Sequence, residues 1–202
     1  MAFIKIWNRA VGILFTALPI LLFCLYGGPY MLYIAFAVIL HECAHLAALR
    51  LCRGRMCAFH PAPFGLCIEY DADTLSFRGE LFVAAAGILA NALLAGTAGI
   101  LGMFFGSALW TFALVNLLIG GMNLLPLSPL DGGRIVYLLI AMQSTPDLAH
   151  RIVQFLTHIC GLLVFLVASY LLLTGRAGLY PLLFSAYVFA ANAKEMSRSE
   201  KT

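Results

Sequence analysis

Apolar residues run along this chain in long blocks, and polar residues gather in the short stretches between them. A helix that crosses a bilayer needs roughly 17–25 predominantly apolar residues. Six blocks reach or approach that length: about Ala10–Tyr26, Pro29–Leu51, Glu80–Phe105, Ser107–Leu125, Ile152–Thr174 and Gly178–Ala193. The pattern predicts an all-α membrane protein of six transmembrane helices. The connections after Tyr26 and Phe105 are so short that the flanking helices must form hairpins. The third block is rich in small residues, among them Ala84, Ala85, Ala86, Gly87, Ala90, Ala95 and Gly99. Small side chains let helices approach closely, which predicts a central position for this helix. Asn91 lies within it, and a carboxamide in lipid must bond another helix or face a polar cavity.

The one sizeable non-spanning segment, Arg53–Gly79, carries a different period. Leu66, Ile68 and Tyr70 alternate with Cys67, Glu69 and Asp71. Asp71, Ala72, Asp73 and Thr74 supply turn residues. Leu75 and Phe77 then alternate with Thr74, Ser76 and Arg78. Period-two patterning on both sides of a turn predicts a small membrane-associated β-hairpin between helices 2 and 3. A solvated connector fits the same pattern.

Composition fixes the solvent. Of 202 residues, 63% are hydrophobic and only 10% charged, with a mean hydropathy of +0.98. Soluble domains carry about 25% charged residues, so this surface is expected to face lipid. A net charge of +3 is too small to suggest nucleic acid. Where the charges sit is more informative, because positive residues favour the cytoplasmic side. With the N-terminus inside, Lys5, Arg9, Arg50, Arg53, Arg55, Arg78, Arg134, Arg151, Lys194, Arg198 and Lys201 all fall inside, and only Arg176 falls outside. This predicts a multi-pass protein of the cell membrane, in a bacterium, with both termini cytoplasmic. The first block lacks a small-x-small cleavage site and reads as an uncleaved anchor. The six cysteines show no paired spacing and read as small apolar filler. The whole of residues 1–202 reads as one polytopic domain without a soluble appendage.

The second block contains His41-Glu42-Cys43-Ala44-His45, an H-E-x-x-H motif inside an apolar helix. Residues four apart share a helix face, so both imidazoles can reach one metal ion. Glu42 lies about 100° round from His41 and can take a proton from a water without being a ligand. In soluble helices this motif also occurs by chance. Here three ionisable groups within five residues of a membrane span are costly and point to function. A catalytic zinc usually takes three protein ligands and keeps one position open. The residues offer two candidates for the third. Asp131 follows Asn123 in a stretch where Pro126, Pro129, Gly132 and Gly133 must break any helix. A carboxylate on unwound chain there can bend inward to a metal, while a surface helix starting at Asp131 is the plainer reading. His60, on a loop beside Pro61, is the other candidate. His150 and His158 read as satisfied or exposed histidines.

Together, His41-Glu42-x-x-His45 and the Asn123–Arg134 segment resemble the site-2 protease family of intramembrane zinc metalloproteases, closest to the sporulation branch that processes a pro-sigma factor. The likeness covers about residues 29–134, that family's catalytic core, and lacks that branch's regulatory domain. It implies one Zn2+ per chain held by His41, His45 and Asp131, with Glu42 as general base. It implies that Asn123 contacts substrate near the zinc. The segment from Pro63 through the hairpin resembles the family's edge-strand element. This chain has Ala44 where the family often has glycine. It also has Ala86-Gly87-Ile88-Leu89-Ala90-Asn91 where the family has A-G-P-x-x-N.

The implied activity is hydrolysis of peptide bonds in or near transmembrane segments, as in regulated intramembrane proteolysis. The implied partners are the bilayer and a membrane-spanning or membrane-associated protein substrate. Leu66 and Ile68, on the predicted hairpin edge, would hold an unwound substrate by strand addition. Control is expected to come through a regulatory membrane partner or through a first cut made in the substrate by another protease. The competing reading is a non-enzymatic membrane metal transporter or sensor. It has no need of Glu42 beside the first histidine, and it expects polar groups along a full path, which the outer halves of these blocks lack.

Overall fold

The computed structural model describes residues 29–62, 65–70, 74–128 and 130–175, together with Leu182 and Ala186. The elements in order are α1 (Pro29–Leu51), β1 (Met56–Ala62), β2 (Gly65–Tyr70), α2 (Phe77–Phe105), α3 (Ser107–Asn123), α4 (Asp131–Ala141) and α5 (Pro146–Leu173). Of these, α2, α5 and the Met31–Leu51 stretch of α1 are long and apolar enough to cross a membrane, and α3 is a shorter apolar helix. The predicted first span lies outside the described residues, as does the predicted sixth apart from Leu182 and Ala186. The chain forms two compact units, residues 1–120 and 121–202.

In the first unit the usual distribution of polarity is reversed. Leu32, Phe36, Ile39, Leu93, Ile100 and Phe104 are exposed, whereas His41, His45, Asn91 and Asn116 are buried. An apolar solvent explains both halves of this pattern, because lipid rewards exposed leucine and leaves polar groups to the helix interfaces. Helix α1 packs along α2, with Ala48, Leu49 and Val83 forming a small core that Cys52, Leu75 and Ala86 extend. Tyr33 and Phe36 of α1 meet Phe112 of α3, with ring centroids 6.2 and 6.0 Å apart.

The segment between α1 and α2 corrects the predicted pairing. Strand β2 pairs antiparallel with β1, from Ala62↔Gly65 to Met56↔Tyr70. It does not pair with Leu75–Phe77, because Phe77 is already helical. The Ser76 hydroxyl accepts the Gly79 N–H at 3.2 Å, capping α2. Glu80 in the first turn complements the helix dipole. The alternation through Leu75 and Phe77 is therefore a helix start that mimics a strand over a few residues. His60, expected on a loop, lies in β1.

In the second unit the break after α3 is anchored rather than loose. Leu127 is fully buried against Leu125, Leu130, Cys160 and Val164. The Ser128 N–H donates to the Thr157 hydroxyl at 2.9 Å, which in turn donates to the Val153 carbonyl at 2.7 Å. Pro126 and Pro129 stop α3 from continuing. Gly132 and Gly133 let α4 begin hard against that break. A Cβ on Gly132 would collide with the carbonyls of Leu124 and Leu125, and one on Gly133 with the carbonyl of Leu127. Asp131 therefore opens helix α4. The expectation of a carboxylate on unwound chain is corrected. The glycines that suggested a break serve to bring a new helix close to it.

Candidate metal centre

The histidine pair is built by two helices. Spacing of four places His41 and His45 on one face of α1, and both are buried, at 4% and 7% exposure. Their rings meet edge to face with centroids 4.7 Å apart. Helix α2 supplies the rest. His45 Nδ1 lies 2.7 Å from the Val83 carbonyl oxygen. A carbonyl can only accept, so Nδ1 carries the proton, and in the neutral ring Nε2 is left with a bare lone pair. That is the tautomer a metal needs, and a carbonyl behind the distal nitrogen is a common way of fixing it.

The two Nε2 atoms lie 3.1 Å apart. Two nitrogens bound tetrahedrally to one zinc, each at about 2.0–2.1 Å, are separated by about 3.3 Å. The imidazoles are thus already arranged to share an ion. Gly87, one helical turn beyond Val83, makes this arrangement sterically possible. A Cβ there would sit 2.6 Å from His41 Cε1 and 2.7 Å from His41 Nε2, and closer still to His45 Nε2. The donor chemistry and the cradle therefore both fit a metal ion.

Glu42 follows His41 on α1 and is half-buried. Leu66 and Ile68 lie in β2, paired with Pro61 and Phe59. Asn123 is the last residue of α3 and Asp131 the first of α4, both half-buried in the second unit. Sequence reasoning missed the Val83 carbonyl, since a backbone acceptor leaves no side-chain signal. It noted Gly87 only as one of many small residues.

Residues 100–167 match the model of peptidase family M50. A zinc metalloprotease of Methanocaldococcus jannaschii is 37% identical over 70 residues, which is 32% of this chain and 21% of that protein. The chain thus spans about a fifth of the length of this curated relative. A solved structure, the site-2 protease from Methanocaldococcus jannaschii, aligns over 92% of this chain and 88% of its own, with a TM-score of 0.67 and 24% identity. At that identity the likeness shows a shared fold. The M50 match and the curated relative each cover only a part of the chain. The M50 match takes in Asn123 and Asp131, while the His41–His45 motif lies before it.

Proposed function

We propose that this protein is an intramembrane zinc metalloprotease that cleaves peptide bonds in or near transmembrane segments of membrane proteins. The observation that carries the reading is the buried histidine pair, with its nitrogens 3.1 Å apart and His45 held in the metal-binding tautomer by Val83. We assign the metal to His41, His45 and Asp131, because two histidines with one carboxylate suit zinc. One zinc per chain is the stoichiometry this set implies. A zinc held there would polarise a substrate carbonyl and acidify a water. Glu42, adjacent to His41, takes the proton of the attacking water and returns it to the leaving amine. Asn123 holds the substrate or its developing negative oxygen. A substrate helix shields its own carbonyls and must unwind first. The β2 edge at Leu66 and Ile68 can receive the unwound stretch as an added strand at the membrane surface.

The catalytic core is placed at about residues 29–134, within a six-span, multi-pass protein with cytoplasmic termini. Regulated proteolysis, under the control of a membrane partner, is the setting this family likeness suggests. The likeness to the sporulation branch makes a membrane-associated pro-sigma factor the first substrate to try. Co-expression of candidate substrates with wild type and with Glu42→Gln tests the activity, and cleavage is expected with wild type alone.

Two further outcomes follow from this assignment. His41→Ala and His45→Ala should each remove most of the bound zinc from the purified protein, measured as metal per chain. Asp131→Asn should weaken zinc binding, because a neutral amide oxygen is a poorer ligand. Zinc loss in His60→Ala with full retention in Asp131→Asn would move the third ligand to His60. For topology, single cysteines at Asn8 and Ser199 should react with an impermeant thiol reagent only after the cytoplasmic face is opened, and a cysteine at Gly28 should react from outside. Labelling of position 8 or 199 in intact cells would overturn the ends-inside arrangement.

A further inference from the structure

The face of α2 that carries the Val83 carbonyl and Gly87 continues one turn further to Asn91, since residues four apart share a face. Asn91 is 0% exposed, and neither its side-chain oxygen nor its nitrogen has a hydrogen-bond partner among the described residues. A buried amide left in that state is destabilising. Glycine on the facing helix lets Asn91 pack closely against it, because a Cβ at Gly120 would stand only 3.1 Å from the Asn91 Cβ. One turn before Gly120 on α3, Asn116 is also 0% exposed. Its nitrogen donates to the Phe112 carbonyl at 2.8 Å, and its oxygen has no partner among the described residues. Among the described residues, three polar atoms, one donor and two acceptors, thus have no matching group.

The complementary ligand is small, offers two donors and accepts at least one hydrogen bond. Water meets all three conditions, and internal water is the usual partner of buried polar groups that side chains leave unmatched. Asn91 lies about 6 Å along the helix axis from Gly87, the residue against which both imidazoles rest. We propose that Asn91, with Asn116, binds internal water one helical turn from the histidine pair, and that this water supplies the hydrolytic site. The supply role rests on the protease reading; the water site itself does not. Each peptide bond cleaved consumes one water, and a centre enclosed by apolar helices needs one within reach. Asn91 is then a positioning residue that acts through the water it holds.

The test uses the purified full chain as wild type, Asn91→Leu and Asn91→Ser. Leucine fills the site with apolar atoms, whereas serine keeps a hydroxyl that can hold the water. Three quantities are read: solvent density beside residue 91 in a structure that resolves other internal waters, zinc per chain, and kcat on a cleaved membrane substrate. Wild type should show ordered water within hydrogen-bond distance of Asn91, and Asn91→Leu should show none. Zinc content should be equal in all three. Loss of a positioned water, worth about one hydrogen bond, should lower kcat about tenfold in Asn91→Leu. Asn91→Ser, the polar rescue, should recover most of the rate lost in Asn91→Leu. A wild-type map without water at Asn91 overturns the site, whether or not the chain cleaves anything. Unchanged kcat in Asn91→Leu, or equal loss in both variants, overturns the supply role.

Discussion

Glu42→Gln is expected to bind zinc as wild type does and to lose turnover almost completely. Glutamine keeps the shape of glutamate and removes its capacity to accept a proton. The ligand set assigned above does not include Glu42, so metal content should be unaffected. Loss of a positioned acid–base group costs about 10²–10⁴-fold in rate, and a residue serving both proton transfers should fall toward the upper end. Metal analysis and cleavage assays on the same preparation check both halves. Uncut substrate should co-purify with the variant. Cleavage near the wild-type rate would remove Glu42 from the mechanism and favour the transporter reading.

Gly87→Ala should be the most damaging single-methyl change in the first unit. The added Cβ would meet His41 Cε1 and Nε2 at 2.6 and 2.7 Å and crowd His45 Nε2. Neither ring can yield freely, because His45 is tied to the Val83 carbonyl of the same helix α2 that carries the new methyl. Either the rings turn away from each other or α1 and α2 separate. Disturbing groups that orient metal ligands typically costs about 10–100-fold in metal affinity, and overpacking costs about 1–3 kcal/mol of stability. Zinc titration and thermal unfolding should show both losses. Gly96→Ala is the control, since nothing lies within 4 Å of a Cβ there. A Gly87→Ala protein with undiminished zinc affinity would show that the imidazoles do not rest on α2 as described.

The helices were legible because their signal is local. Pro29–Leu51 is a long, mainly apolar block even with His41, Glu42 and His45 inside it, and α1 has those bounds. The start of α2 was misplaced because Leu75 and Phe77 alternate with polar residues over too short a stretch to separate two periods. The deciding feature is one hydroxyl, the Ser76 cap, competing with a strand partner. Strand β2 was recognised as a strand, but its partner was not, since β1 holds His60 and Pro61 and shows little alternation. Strand pairing is a choice between distant segments, and a period within one segment cannot make it.

The candidate centre divides in the same way. The spacing of His41 and His45 on a helix by itself determined that two imidazoles share a face, because 3.6 residues per turn is a property of the backbone. The apolar block around them determined that they are enclosed, because lipid or protein must surround such a helix. Only the tertiary structure decided which nitrogen of His45 bears the proton, since that depends on a carbonyl 38 residues away. It also decided that Gly87, among many small residues of α2, is the one on which both rings rest. Covalent spacing fixes what one helix can present. What that helix meets depends on the packing of a second helix, which no local pattern encodes.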